Sequence, residues 1–203
     1  MIHFMAKNAI LGDGMLFNDR VKLVALQYKS VSLEYVEYKK KLFLESGVEY
    51  KTIRDSDEYS GYKDDYSIKC LSIGGIPREQ LNLGVKYDIT EILKTLTEFD
   101  LFLWYLDDGS WHKTRNTMHL YCNSLTLEQT NILADRINEL YGIRPKLRID
   151  RKTDGREFNY LYYPRKLVNI LHPIYKEFIE KAELDCMIYK VGGADYIDKK
   201  ALR

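Results

Sequence analysis

The sequence predicts an α+β fold built from two copies of one unit, each with helices on one face of an antiparallel sheet. Three observations predict it. First, Ser30-Val31-Ser32-Leu33-Glu34 returns as Ser124-Leu125-Thr126-Leu127-Glu128, a shift of 94 residues. Second, an apolar run closed by acid-Gly, Ala9-Ile10-Leu11-Gly12-Asp13-Gly14, returns as Leu103-Trp104-Tyr105-Leu106-Asp107-Asp108-Gly109, with Asp13 on Asp108 at a shift of 95. Third, the same succession of helical and strand periods follows each acid-Gly pair. A period this long excludes a solenoid. It divides the chain into halves 1–95 and 96–203 that form one compact protein.

Each half opens with an apolar helix, over about 4–12 and 97–107, that stops at acid-Gly. Two strands follow, near 14–18 and 22–28 in the first half and 110–113 and 117–123 in the second. Ser32 and Thr126 then open amphipathic helices that run to about 46 and 141. A hydroxyl there accepts from the unpaired N–H groups of the first turn, and the Glu behind it favours the positive helix end. Gly47 and Gly142 stop these helices. Two further strands, at 48–54 and 66–73 and again at 144–151 and 156–163, precede a closing helical stretch in each half. Asp154-Gly155 suits the turn of the last hairpin.

Composition narrows the function. Across 203 residues the hydrophobic fraction is 45% and the charged fraction 30%, which describes a globular protein and not a disordered one. The net charge of +1 gives no overall bias toward nucleic acid, so the placement of charge matters more than its sum. Cys70, Cys122 and Cys186 are odd in number and widely spaced, which excludes a disulfide scaffold or thiolate zinc site and suits a reducing compartment. No apolar run reaches the length of a membrane span, and no signal peptide is visible, so a soluble intracellular protein is expected. His3, His112, His119 and His172 show no metal-ligand spacing, and Gly12-Asp13-Gly14 has no phosphate-loop context.

The two acid-Gly helix ends carry the chemistry. A carboxylate at a helix C-terminus meets like partial charge, which a divalent cation relieves. If the two helices pack about a pseudo-two-fold axis, Asp13 and Asp108 approach each other with backbone carbonyls nearby. Hard oxygen donors of this kind suit Mg²⁺, and paired metals promote in-line phosphodiester cleavage.

At these residues the sequence resembles the LAGLIDADG homing endonucleases, in particular the monomeric branch whose second motif reads Trp-aromatic-aliphatic-Asp-Asp-Gly. The resemblance is most specific over 96–110 and extends through the order of elements along nearly the whole chain. It implies paired αββαββα units, sheets saddled over double-stranded DNA, a monomer without an obligate protein partner, and a staggered double-strand break with short 3′ overhangs. It also implies one metal-binding acid per motif, Asp13 and Asp108, with Gly12 and Asp107 beside them in the ligand set and Mg²⁺ as the metal, replaceable by Mn²⁺. Asp107 departs from the namesake motif, which has a small residue there; both Asp107 and Asp108 therefore stand as candidates for the second ligand. The resemblance further implies a Lys near each scissile phosphate, matched by Lys86 and Lys190. Polar residues that organise water on the second strand of each half are matched by Gln27 and Tyr121.

Segment 144–152 alternates by twos, so Lys146, Arg148 and Lys152 share one strand face while Leu147 and Ile149 face a helix layer. Arg144, Arg151 and Arg156 add charge to this hairpin, and Lys51, Arg54 and Lys69 are the comparable cations of the first half. Such residues grip phosphates or read guanine edges. Two other classes compete: an intron maturase or non-cleaving nucleic-acid-binding protein of the same fold, and a duplicated RNA-binding module. Acids at both helix ends argue for the nuclease, since an RNA-binding sheet would instead expose aromatics.

Overall fold

The structure is a computed structural model whose described residues are 2–20, 22–59, 67–83, 87–112, 114–151 and 155–192. It divides into two compact units, Met1–Asp88 and Ile89–Arg203.

The first unit runs α1 (Phe4–Leu11), β1 (Gly14–Arg20), β2 (Leu23–Ser30), α2 (Leu33–Glu45), β3 (Thr52–Tyr59) and β4 (Ser67–Pro77), followed by a 3-10 turn at Arg78–Leu81. Its strands form one antiparallel sheet in the order β1-β2-β4-β3. The second unit opens with α3 (Ile89–Lys94), then α4 (Glu98–Asp108), β5 (Gly109–His112), β6 (Thr117–Tyr121), α5 (Leu127–Tyr141), β7 (Lys146–Arg151), β8 (Glu157–Tyr163) and α6 (Arg165–Lys181). A 3-10 segment at Asp185–Val191 follows. The second sheet is antiparallel in the order β5-β6-β8-β7, the same topology as the first. The expected two-copy α+β architecture is what the chain adopts.

Local chemistry sets the helix starts. Ser32 accepts from the Tyr35 N–H at 3.3 Å. Thr126 accepts from the Gln129 N–H at 3.2 Å while the Gln129 side chain accepts from the Thr126 N–H at 3.0 Å, a reciprocal cap. Thr97 and Asp100 do the same for α4. Gly142 closes α5 in the left-handed region at φ 69°, where a side chain would be strained.

The first core joins Met5, Ala6 and Ala9 of α1 to Val24, Leu26 and Tyr28 of β2, Val36 and Phe43 of α2, and Leu71 and Ile73 of β4. In the second unit α4 is buried from Asp100 to Asp107 without a break. A helix apolar on all sides is a core helix. Phe102 stacks on Phe178 of α6 at 4.8 Å, and Tyr105 meets Tyr175 at 5.1 Å. The closing helical stretch expected for the first half is short, a 3-10 turn at Arg78–Leu81 and the six-residue α3, which belongs to the second unit and packs on α5. The β3 strand begins at Thr52, later than the expected 48, β5 starts one residue earlier than expected, and β6 ends at Tyr121, two residues short of the expected 123.

Candidate catalytic turns and sheet faces

In the second unit, α4 runs through Asp108 and Gly109 caps it. The Trp104 indole Nε1 donates to Asp108 Oδ2 at 3.0 Å, one helical turn back. Lys190 comes from the 3-10 segment after α6 and is buried, 8% exposed. Its Nζ donates to the carbonyl oxygens of Asp107 at 3.0 Å and Gly109 at 2.7 Å, on either side of Asp108. In return, the Tyr105 hydroxyl donates to the Lys190 carbonyl at 2.8 Å. A buried ammonium needs such acceptors, and the carbonyls at a helix C-terminus carry the negative partial charge that attracts it. Burial also pushes the Tyr105 hydroxyl pKa far above the usual phenol value, so it stays a donor. Burial first, and the Asp108 charge second, likewise raise the Cys122 thiol. Gly109 is required by space: a Cβ there would run into the Tyr105 carbonyl oxygen and ring.

In the first unit the helix stops earlier. Gly12 caps α1 through its N–H to Asn8 O at 2.9 Å, so Asp13 lies past the helix end and is exposed. Gly14 packs on Ala9, whose Cα would be 2.5 Å from an added Cβ. Tyr28 ties β2 to α1 by donating to Met5 O at 2.6 Å. Gln27 pairs with Met15 in register, and its Nε2 donates to Ser72 Oγ at 3.1 Å. Lys86 lies outside the described residues.

Strand register corrects one pairing. Gly14 lies opposite Tyr28 and Met15 opposite Gln27; Gly109 lies opposite Leu120 and Ser110 opposite His119. The counterpart of Gln27 is therefore His119, not Tyr121. The second hairpin is shorter, and a constant shift counted along the sequence cannot see that.

Cross-strand partners share a face. In the second sheet, Lys146 and Arg148 of β7 align with Tyr162 and Tyr160 of β8, then with His119 and Tyr121 of β6, then Ser110 of β5. The opposite face buries Leu120, Leu161 and Tyr163. On the open face His119 contacts His112 at 4.3 Å, Tyr160 at 4.9 Å and Tyr162 at 5.5 Å between ring centroids. Burial, with the nearby His112 and Arg115, lowers the His119 pKa to about 4, so the ring is neutral at pH 7. Ile149 is on the helix side as expected but is 43% exposed, because β7 outruns its cover.

Three expected DNA contacts turn away from the open faces. Lys69 pairs with Asp57, binding its Oδ1 at 2.7 Å, on the side opposite Arg54, which aligns with Ser72 and Gln27. Arg144 donates to Asp135 Oδ1 at 2.7 Å and Asn131 Oδ1 at 3.0 Å, both on α5. Arg151 has the register of Ile149 and binds Glu157 at 2.6 Å. Lys146, Arg148 and Arg54 keep the open faces. Arg156 lies 5.9 Å over the ring of Phe158, which pairs with Asp150 on the Arg148 side. Lys51 stands one residue before β3, its stem against Gly75. Lys152 lies outside the described residues.

Among the described residues, no group of three or more His, Cys, Asp and Glu side chains could hold a metal ion. The first turn supplies one carboxylate, Asp13, and the second two, Asp107 and Asp108, hard-oxygen donors that fit Mg²⁺ or Mn²⁺ once further oxygen ligands are added. No helix among them is long and apolar enough to cross a membrane.

The homing endonuclease I-WcaI, solved bound to its DNA recognition sequence, is similar at a TM-score of 0.62 and 16% identity, covering 93% of this chain and 84% of that one. A variant of I-DmoI in complex with nicked target DNA, in the presence of Mn, has a TM-score of 0.56 at 14% identity, covering 85% and 94%. I-DmoI with DNA and Ca gives 0.53 at 16%, covering 84% and 86%. At these identities the likeness establishes the fold. No curated protein matches in sequence. Residues 9–171 match the LAGLIDADG DNA endonuclease family. With the duplicated topology and an acid-Gly turn in each unit, the match establishes that the chain belongs to the LAGLIDADG DNA endonuclease family.

Proposed function

We propose that this chain is a site-specific endonuclease that makes a staggered break in double-stranded DNA and acts as a monomer. The observation that carries the reading is the second acid-Gly turn, where an indole fixes the Asp108 side chain and a buried ammonium fixes the backbone around it. A turn whose only task was to end a helix needs neither.

The two halves, 1–95 and 96–203, each bring one carboxylate to one DNA strand, Asp13 and Asp108. Gly12 offers a carbonyl oxygen beside Asp13, and Asp107 a second carboxylate beside Asp108. A bound Mg²⁺ supplies Lewis-acid activation of the phosphodiester and of the attacking water. Lys190, held on the carbonyls either side of Asp108, stabilises negative charge developing on a phosphate; Lys86 has the corresponding role in the first half. Gln27, held by Ser72, orients water near the first turn. Arg54, Lys146, Arg148 and Arg156 grip the duplex from the open sheet faces, which saddle it, with Lys51 at the margin. That I-WcaI and I-DmoI were solved with DNA, and I-DmoI with Mn or Ca, supports DNA as substrate and a divalent metal as cofactor.

The test is incubation of the purified chain with a random plasmid library and Mg²⁺, followed by sequencing of the cut ends. One recovered site with short 3′ overhangs is the expected result. Binding to DNA without any cutting would favour the maturase or non-cleaving reading.

A further inference from the structure

We infer that Trp104 is a positioning residue for Asp108, and that its absence from the first motif makes the two catalytic turns unequal. The inference rests on the endonuclease reading above.

An indole N–H is a donor with no acceptor capacity, and when buried it must find an acceptor. Trp104 is 1% exposed, so its N–H cannot turn to solvent. Asp108 Oδ2, at 3.0 Å, is the acceptor it uses. The packed ring cannot change rotamer without disturbing the core, so the carboxylate is aimed by a rigid group. The backbone is fixed as well, by Lys190 Nζ on the Asp107 and Gly109 carbonyls and by Tyr105 on the Lys190 carbonyl. A ligand held in both side chain and backbone loses little freedom when it takes up a metal.

The first motif is built differently. The residue 95 positions before Trp104 is Ala9, which has no side-chain donor, and Gly14 is packed directly on it. Asp13 lies beyond the end of α1 and is exposed, where Asp108 is the last helical residue and half-buried. Loss of the indole N–H therefore impairs cutting of the strand served by Asp108 more than cutting of the other strand, because only the Asp108 side chain is held by an indole.

Two measurements on the full chain test this. In the ¹⁵N-labelled protein, the Trp104 indole resonance, assigned with Trp111→Phe, should move upfield in Asp108→Ala and stay in place in Asp13→Ala. An indole unmoved by Asp108→Ala would overturn the contact, whether or not the protein cuts DNA. In the second, the Trp104 indole is replaced by its benzothiophene isostere, which keeps the shape and removes the N–H. On a plasmid carrying the recovered site, one strand should slow by about 10–100-fold or need that much more Mn²⁺, with the other within about twofold. A loss of structure would slow both strands together, and that result, or no slowing, would overturn the inference. If the native protein cuts no DNA, the endonuclease reading fails, and the indole measurement still decides the positioning role.

Discussion

Lys190 donates through Nζ to the carbonyl oxygen of Gly109 at 2.7 Å, across 81 residues of sequence. With the Asp107 carbonyl at 3.0 Å, this bond ties the last 3-10 segment to the second acid-Gly turn. Lys190→Met keeps the stem and strands two carbonyls, so it should lower folding stability by about 1.5–3 kcal/mol. It should also slow cleavage on the order of 10²-fold. Urea denaturation and single-turnover cleavage report the two effects. An unchanged denaturation midpoint would mean that the ammonium is in solvent and not on the turn.

Gly109→Ala places a methyl group against the Tyr105 carbonyl and ring. Overpacking of this kind costs roughly 1–3 kcal/mol, and a lower urea midpoint with an unchanged slope is the expected outcome. Wild-type stability in this variant would mean that α4 ends differently.

The sheet faces predict a sorting of the basic residues. Arg148→Ala should weaken binding to the recovered site by about 1–3 kcal/mol if it reads a base, or reduce the salt slope by about one if it touches phosphate. Arg144→Ala and Lys69→Ala should leave both quantities nearly unchanged, because α5 and Asp57 hold those side chains on the other side. Filter binding at several salt concentrations separates these outcomes. Equal losses at Arg148 and Arg144 would contradict the assignment of faces.

His119 predicts a pH dependence. Its pKa falls from 6.5 to about 4 on folding, so the unfolded chain binds the proton that the folded one refuses. The sign follows from linkage: stability is full above about pH 6.5 and declines as the pH falls toward 4. A shift of this size corresponds to a loss on the order of 1–3 kcal/mol. His119→Gln should flatten stability across this window relative to wild type. Parallel curves for the two proteins would exclude the His112–His119–Tyr160 cluster as the cause.

What the sequence reveals divides along physical lines. Ser32, Thr126, Gly109 and Gly142 act through neighbours within a turn, so their roles are legible in local spacing. The duplication is legible because both copies keep their acid-Gly. Register is not, because it depends on loop length: the shorter β5–β6 hairpin moves His119 into the place that a constant shift assigns to Tyr121. The partners of Lys69, Arg144 and Arg151 depend on which side chains the fold brings near, and charge density along the sequence does not show them. The Trp104–Asp108 contact did carry a signal, since residues four apart on a helix lie on one side.

The central claim is that Asp13 and Asp108 hold the metal that cleaves DNA. The most direct test is Asp13→Asn and Asp108→Asn, assayed for double-strand cutting of the recovered site with Mg²⁺ and, separately, for binding to it. Both variants should lose double-strand cutting while binding stays within about tenfold, since a lost catalytic ligand removes transition-state stabilisation and not grip. Near-normal cleavage by either variant, or an Asp107→Asn protein more impaired than Asp108→Asn, would contradict the account.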